Sequence, residues 1–338
     1  MKLCTNCILP ETFPGITFDD AGVCSHCRQY DGTAGRHRED KARYAEKFAK
    51  LLAEVCAPAL ADARAHDVLM AYSGGKDSTY TMLLLRRKHG LRVLALSVDN
   101  GFVSPRALEN IRAVTDALGV DHLLLKPRWD VLRTIFRAAA SEELFARKTL
   151  DRASTICTSC IGIVKAYCLR VAIEQGIPLV GFGWSPGQAP VQSSIMRTNP
   201  AMTRASQLAI LAPLRRVAGE AVNGYFLEER HHAHPEAFPT NVHPLAWEHY
   251  NEEEILAEIA ALGWLSPGDT DSNSSNCLLN AFANEVHLRR YQFHPYVWEI
   301  ANMVREGVLG RDEGLQKIYG AQPEGLRSVA EHRLFGEP

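Results

Sequence analysis

A phosphate-binding segment is the strongest chemical signal in the chain. It combines glycines, hydroxyls, one lysine and one aspartate in Ser73-Gly74-Gly75-Lys76-Asp77-Ser78. An apolar run at 68–72 predicts a buried strand before it, and a helical pattern at 79–85 follows. A strand that turns through glycines into a helix directs backbone N–H groups and the positive end of the helix dipole at one point. The segment therefore predicts a phosphate site, and Asp77 beside Lys76 indicates an accompanying Mg²⁺.

Four cysteines near the amino terminus have the spacing of a metal site. They form two Cys-x-x-Cys pairs with sixteen residues between them, Cys4, Cys7, Cys24 and Cys27. This spacing is typical of a four-thiolate zinc site, and about thirty residues cannot build a core without such help. We therefore predict a zinc-binding module over residues 1–32.

A further Cys-x-x-Cys pair, Cys157 and Cys160, comes immediately before a predicted helix at 161–175. Cysteines three positions apart at a helix start face the same way and lie close to the positive end of the dipole, which favours the thiolate form. A third cysteine, Cys277, also precedes a predicted helix. Three uses are open at this point: ligands of an iron–sulfur cluster, a persulfide-carrying redox pair, or half of a second zinc site.

The alternation of strand and helix patterns from residue 66 onward predicts a parallel sheet covered on both faces. Strands are predicted at 68–72, 92–100, 122–126 and 178–182, and helices at 106–118 and 129–140. Ligands of such sheets bind beyond the carboxyl ends of the strands. Asp99, at the end of the second strand, and Gly183 and Gln188, after the fourth, are therefore candidate ligand contacts. The alternatives are that Asp99 caps the next helix and that Gly183 belongs to a plain turn.

Length and charge limit the classes of function. The chain has 338 residues, enough for about two domains. Its 37 basic and 39 acidic side chains give a net charge of -2, which disfavours a large RNA partner. No uninterrupted apolar stretch approaches a membrane span and the amino terminus lacks a signal-peptide core, so we expect a cytoplasmic protein without membrane association.

Four regions are predicted along the chain. They are the zinc-binding module at 1–32, a connecting helix at 33–65, an α/β domain at 66–200 and a mainly helical substrate or partner region at 201–338. The fold class is therefore α/β, with a small metal-binding module before the parallel-sheet domain and helices after it.

The segment at 73–78 matches the SGGxDS signature of the PP-loop ATP pyrophosphatases residue for residue, so the chain resembles that superfamily here. The resemblance implies a Rossmann-like ATPase domain that cleaves ATP between its α and β phosphates, giving a substrate adenylate and pyrophosphate. It implies that Lys76 and Asp77 act in catalysis and that the whole segment binds ATP and Mg²⁺, through Ser73, Gly74, Gly75, Lys76, Asp77 and Ser78. The adenosine would then lie near Asp99, Gly183 and Gln188.

Two further resemblances disagree about the group that is transferred. The segment at 7–24 is similar to the leader of the N-acetyl sugar amidotransferases of surface-polysaccharide biosynthesis, which implies ammonia from a glutaminase partner and an N-acetyl sugar nucleotide as substrate. The order and approximate separation of Cys157, Cys160 and Cys277 resemble those of the iron–sulfur enzymes that thiolate transfer RNA. That resemblance implies a [4Fe-4S] cluster with one iron open to bind sulfur.

Sulfur transfer is the favoured prediction. ATP would activate a carbonyl or amide oxygen as an adenylate, and sulfide on a [4Fe-4S] cluster held by Cys157, Cys160 and Cys277, or a persulfide on Cys157 or Cys160, would displace AMP. A small molecule or sugar nucleotide is favoured over transfer RNA as substrate, with a sulfur donor as partner, and a homodimer is left open. The alternatives are an amidotransferase, in which these cysteines are structural or bind zinc, and a non-catalytic nucleotide-binding redox sensor.

Overall fold

A six-stranded sheet forms the centre of the computed structural model, which describes residues 1–31, 34–57, 64–321 and 325–336. In chain order its strands are β1 (Val68–Ala71), β2 (Val93–Val98), β3 (Asp121–Leu125), β4 (Leu179–Phe182), β5 (Ile195–Arg197) and β6 (Thr240–Val242). The spatial order is β3-β2-β1-β4-β6-β5, in which β5 is antiparallel to β6 and the other pairs are parallel. The predicted α/β class with a mostly parallel sheet is confirmed.

Helices cover the sheet and form the carboxyl-terminal region. In the described residues the α-helices are α1 (Ser25–Asp31), α2 (Ala34–Val55), α3 (Lys76–Leu83), α4 (Pro105–Leu118), α5 (Trp129–Ser141), α6 (Thr155–Glu174), α7 (Pro200–Ala218), α8 (Glu229–His232), α9 (Glu252–Ala260), α10 (Asn280–Tyr291), α11 (Val297–Arg305), α12 (Arg311–Tyr319) and α13 (Leu326–Phe335). The region after β6 is mainly helical, as predicted.

Side chains of the central strands are buried on both faces of the sheet. Leu69 and Val180 pack on one face beneath α6. Their neighbours along the same strands, Met70 and Leu179, point to the opposite face and join the main core with Met82 of α3. Burial on both faces explains why these strands are nearly continuous apolar runs rather than alternating patterns.

The two short strands β5 and β6 were not predicted. Each has three residues, which is too few to produce a recognisable period of two, and β6 follows a segment rich in proline and histidine. β6 pairs with β4, with Leu179 opposite Thr240, and so brings chain from beyond residue 200 into the sheet. The division of the chain at residue 200 stays a prediction.

The helix that carries the central Cys-x-x-Cys pair begins earlier than the predicted residue 161. α6 starts at Thr155 because the Ser154 side chain accepts a hydrogen bond from the backbone N–H of Cys157 at 3.1 Å and so caps the helix. The two cysteines therefore lie within the first two turns rather than before them. By length and composition α6 is the one described helix that could cross a membrane, but it packs on β1 and β4 as a core helix does.

The helix α2, which begins at Ala34 and ends at Val55, lies in the predicted connecting region at 33–65, while the bounds of that region stay a prediction. Its predicted continuation includes residues 58–63, which lie outside the described part of the chain. The predicted boundary between residues 32 and 33 also lies outside it.

The amino-terminal module is attached to the carboxyl-terminal helices. Arg311 of α12 donates hydrogen bonds of 3.0 Å to the carbonyl oxygens of both Cys4 and Cys7. Phe13 stacks on Trp298 of α11, with their ring centroids 5.3 Å apart. The two ends of the chain are thus held together, which places the module beside the helices that close over the sheet.

Gly183 is a point of very close approach between the end of β4 and the phosphate-binding segment. A Cβ at this position would lie 2.4 Å from Ser78 Cα. We predict that Gly183→Ala lowers the free energy of unfolding by about 1–3 kcal/mol, because the strand end and α3 would have to separate. Gly224→Ala is the control, since nothing lies within 4 Å of its added Cβ. Urea unfolding measures both, and equal effects of the two substitutions would contradict the prediction.

Candidate nucleotide and metal sites

The phosphate-binding segment is a tight turn between β1 and α3. Gly74 has φ of +76°, and a Cβ there would lie 2.6 Å from the carbonyl oxygen of Ala107, so both conformation and space require glycine. The hydroxyls of Ser73 and Ser78 are 3.0 Å apart, and Ser78 Oγ also donates to the Gly75 carbonyl at 3.0 Å. This bracing fixes the turn, and its N–H groups lie at the start of α3, as the sequence predicted.

Lys76 lies in a network of charged and polar side chains. Its Nζ is 3.0 Å from Asp77 Oδ1 and 3.5 Å from Glu252 Oε2, and it donates to Tyr250 OH at 2.5 Å. Tyr250 OH in turn donates to Asp77 Oδ1 at 2.7 Å. Burial opposes the charge on Lys76, yet the carboxylates of Asp77 and Glu252 raise its pKa. The lysine is therefore a fixed cation at the start of α3.

A cavity of about 240 Å³ opens beside this network. The segment at 266–275 lines one side of it, and Ser185, Tyr296 and Glu299 contribute to the other. Ser275 Oγ accepts a hydrogen bond from the Lys76 backbone N–H at 2.9 Å. The site is therefore built from three distant parts of the chain, the turn after β1, the loop after β4 and the region beyond residue 240.

The two cysteine segments meet at the carboxyl end of β2. Asn100 Nδ2 is 3.4 Å from Cys160 Sγ and 3.8 Å from Cys277 Sγ, so one amide group contacts two of the three predicted sulfurs. The third, Cys157, lies one helical turn before Cys160 on α6. The predicted grouping of these cysteines near the phosphate-binding segment agrees with this geometry, while their function stays a prediction.

Burial acts against the thiolate form that the helix start was expected to favour. Desolvation raises the pKa of Cys157 and of Cys160 to about 12 and also raises that of Cys277, while hydrogen bonds from Ser154 and Asn100 only partly oppose it. The effect of burial on the pKa of these thiols therefore outweighs that of the helix dipole.

The four amino-terminal cysteines fit a single tetrahedral metal ion. All four are buried, and their sulfurs lie within 4.8 Å of one another. Two sulfur pairs, Cys4 with Cys27 and Cys7 with Cys24, are 3.8 Å apart, which is the separation expected for tetrahedral zinc with Zn–S bonds of about 2.3 Å. Hydrogen bonding among these sulfurs lowers the pKa of Cys24 and raises the pKa of Cys7 and Cys27, so one thiolate is shared within the group.

Arg305 connects this site to α11, because its guanidinium donates to Cys7 Sγ at 3.3 Å. A positive group beside four thiolates offsets part of the charge that they and a divalent ion would carry.

The three other residues that were predicted to contact the ligand are Asp99, Gly183 and Gln188. Asp99 Oδ1 accepts from the Gly101 N–H at 2.9 Å and so shapes the turn after β2, whereas the cap of α4 is Ser104. The alternative that Asp99 caps that helix is therefore wrong. Gln188 hydrogen-bonds Glu299, and Gly183 contacts Ser78. Whether any of them contacts a nucleotide stays a prediction.

Several residues of the site were not identified from sequence. Tyr250, Glu252 and Glu299 meet Lys76 and Asp77 only through the tertiary fold. Negative charge is stabilising at the start of a helix, which is enough to explain the acidic run at 252–254. The run does form the first turn of α9. No local pattern distinguishes its first residue as a partner of Lys76.

Comparisons with known proteins add relatives of low similarity. No protein-family model matches the chain. The uncharacterized protein MJ1599 of Methanocaldococcus jannaschii is 23% identical over 273 residues, which cover 81% of this chain and 79% of that protein.

Among solved structures, the chain is similar to the U34-tRNA thiolase NcsA from Methanococcus maripaludis with its [4Fe-4S] cluster, at 16% identity and a TM-score of 0.36 over 91% of this chain and 88% of that one. NMN synthetase from Francisella tularensis is 12% identical, with a TM-score of 0.37 over 87% of this chain and 95% of that one. At these TM-scores neither similarity establishes a common fold, so the chemistry has to be inferred from this chain's own residues.

We predict that the purified protein binds about one zinc ion per chain at the four amino-terminal cysteines. Cys24→Ser should abolish this zinc and lower the thermal unfolding midpoint, because the module has little other core to stabilise it. Elemental analysis and a melting curve measure both effects. Cys56→Ser, which changes a half-buried thiol outside the group, should retain the metal. Zinc that persists in Cys24→Ser would contradict the assignment.

Proposed function

We propose that the protein uses ATP to activate a carbonyl or amide oxygen of its substrate as an adenylate and then replaces that oxygen with sulfur. The observation that carries this proposal is the position of Cys277 beside the phosphate-binding segment. Ser275, two residues before it, accepts the hydrogen bond from the Lys76 N–H, and Asn100 contacts both Cys277 and Cys160. Groups suited to activation and groups suited to sulfur chemistry therefore lie at one edge of the sheet.

In the activation step, the turn after β1 would hold the pyrophosphate that leaves. Backbone N–H groups at the start of α3 and the hydroxyls of Ser73 and Ser78 would bind its oxygens, and Lys76 would offset its charge. Asp77 would hold the Mg²⁺ that accompanies ATP. Positioning and charge stabilisation are most of what a protein contributes to such a phosphoryl reaction.

The fixed orientation of Lys76 serves this role. Tyr250 and Glu252 hold its ammonium group before any phosphate arrives, so little reorganisation is needed when negative charge develops. Ser275 occupies one N–H of the turn, and a bound phosphate would compete with its hydroxyl for that donor.

Cys157, Cys160 and Cys277 fit a [4Fe-4S] cluster better than a single metal ion. Within the described residues, the sulfurs of the four amino-terminal cysteines lie within 4.8 Å of one another. The sulfurs of Cys157, Cys160 and Cys277 do not form such a close group. The iron atoms of a cluster separate its thiolate ligands, and three cysteines leave one iron free. When bound, such a cluster supplies a site for sulfide. Asn100 would support the cluster by donating hydrogen bonds from Nδ2 to the sulfurs of Cys160 and Cys277.

A small molecule or a sugar nucleotide is the substrate class that we favour. The net charge of -2 offers no general attraction for a polyanion such as transfer RNA. A sulfur donor would complete the reaction as a partner.

Amide formation is the second candidate function. The resemblance of the segment at 7–24 to sugar amidotransferases favours it, with ammonia from a glutaminase partner displacing AMP. The activation step would be the same, and Cys157, Cys160 and Cys277 would then be structural or bind zinc.

We predict that Lys76→Met raises the Kd for Mg·ATP at least tenfold, which corresponds to a loss of about 1.4 kcal/mol or more of binding free energy. The substitution removes the charge that faces the phosphates while keeping an unbranched side chain of similar length. Isothermal titration calorimetry measures the affinity. Lys50→Met, at an exposed position of α2, is the matched control and should bind ATP as the unmodified protein does. Equal affinity in the two variants would contradict the role of Lys76.

We predict that anaerobically purified protein contains about four iron and four acid-labile sulfide per chain. Cys277→Ala should lose most of both, because one ligand of the cluster is removed. Cys168→Ala, which alters a buried thiol beneath the sheet, should retain them. Absence of iron together with more than one zinc per chain would contradict sulfur transfer and favour the amidotransferase.

A further inference from the structure

Glu299 is an unusual carboxyl group in the cavity beside Lys76. It lies on α11, and its Oε1 accepts a hydrogen bond of 2.5 Å from Ser185 Oγ. Gln188 supplies a second hydrogen bond. Within the described part of the chain Glu299 forms no ion pair, whereas Asp77 and Glu252 in the same cavity both pair with Lys76. It therefore has no directly paired cation, and the charge of Lys76 only partly opposes the effect of burial on its pKa.

The chemistry of the proposed activation step requires a proton acceptor. When an amide or lactam oxygen attacks the α phosphorus of ATP, a P–O bond forms to that oxygen and the bond to pyrophosphate breaks. The adjacent nitrogen must lose its proton, because the product is a neutral imidate adenylate and not a cation. A carboxylate already paired with an ammonium group is a weak base for this purpose.

We propose that Glu299 is this proton acceptor, so that the substrate is a carbonyl compound with an N–H group next to the carbonyl. The inference rests on the proposed function. The proton moves from the substrate nitrogen to a Glu299 carboxylate oxygen as pyrophosphate leaves on the side of Lys76. Ser185 and Gln188 orient the carboxylate, and although their hydrogen bonds lower its pKa, burial raises that pKa by more.

The charged and titratable surroundings support this role. The groups that face the cavity with Glu299 are Lys76, Asp77, Tyr250, Glu252, Asp271, Tyr296 and Lys317, and Lys317 pairs with Glu252. Burial, reinforced by the charge of Asp77, raises the pKa of Glu299 to about 7, against the opposing hydrogen bonds from Ser185 and Gln188. A general base is most effective when its pKa is near the working pH.

The test uses Mg·ATP alone, with water as the acceptor that attacks the α phosphorus and loses a proton. The unmodified protein should release AMP and pyrophosphate slowly, at a rate that rises with pH through about 7 as Glu299 ionises. Glu299→Gln retains the size of the side chain, so Mg·ATP affinity should stay within about threefold. Its rate of AMP release should fall about 100-fold or more and lose the rise near neutral pH.

Glu306→Gln is the matched control, because Glu306 follows the same helix but pairs with Lys41 away from the cavity. It should keep both the rate and the pH profile. If Glu299→Gln releases AMP with the rate and profile of the unmodified protein, the inference about Glu299 is wrong while the proposed activation stands. If the unmodified protein binds Mg·ATP but releases ADP or no product, the activation itself is wrong and the inference fails with it.

Infrared spectroscopy gives a reading that is independent of turnover. The nucleotide-free protein should show the band of a protonated carboxyl group that titrates near pH 7, and Glu299→Gln should lack it. A band unchanged by the substitution would overturn the inference even if AMP release falls.

Discussion

The hydrogen bond from the Lys76 backbone N–H to Ser275 is the contact on which the arrangement of the site depends. The turn after β1 presents donors at the start of α3, and this bond brings the segment before Cys277 directly onto them. Trp264 adds a second link, since its Nε1 donates to the Gly74 carbonyl at 2.9 Å. Because two parts of the chain almost two hundred residues apart meet at a backbone turn, the phosphate-binding groups and the cysteines have a fixed relation to each other.

Charge is distributed unevenly inside the cavity. Lys76 pairs with Asp77 and Glu252, Lys317 also pairs with Glu252, and the Tyr250 hydroxyl lies between Lys76 and Asp77, so these charges form one preorganised network. Glu299 lines the same cavity and accepts a hydrogen bond from the neutral Ser185 hydroxyl. In the proposed reaction, this difference between paired and unpaired carboxyl groups would separate charge stabilisation from proton transfer.

The two groups of cysteines differ in spacing and in surroundings, and that difference argues for different occupants. The amino-terminal sulfurs are close enough for one tetrahedral ion, and Arg305 and Arg311 attach them to the carboxyl-terminal helices. A metal ion bound there would be part of the framework that supports α11. The central cysteines lie at the carboxyl ends of the strands, where ligands of parallel sheets bind, and are contacted by one neutral amide.

Elements with a local signature could be predicted from the residues alone. The apolar runs predicted the four longer parallel strands, the glycines and charges at 73–78 predicted a phosphate turn at a helix start, and the cysteine spacing predicted the four-thiolate group, because each depends on neighbouring residues. Which side chains meet at the site depends on the packing of distant segments. Tyr250, Ser275 and Glu299 reach the turn by packing of distant segments, and β6 is too short to have a period. Long-range contacts and the burial that sets the pKa of Glu299 have no signature in local sequence, since both arise only when the chain is folded.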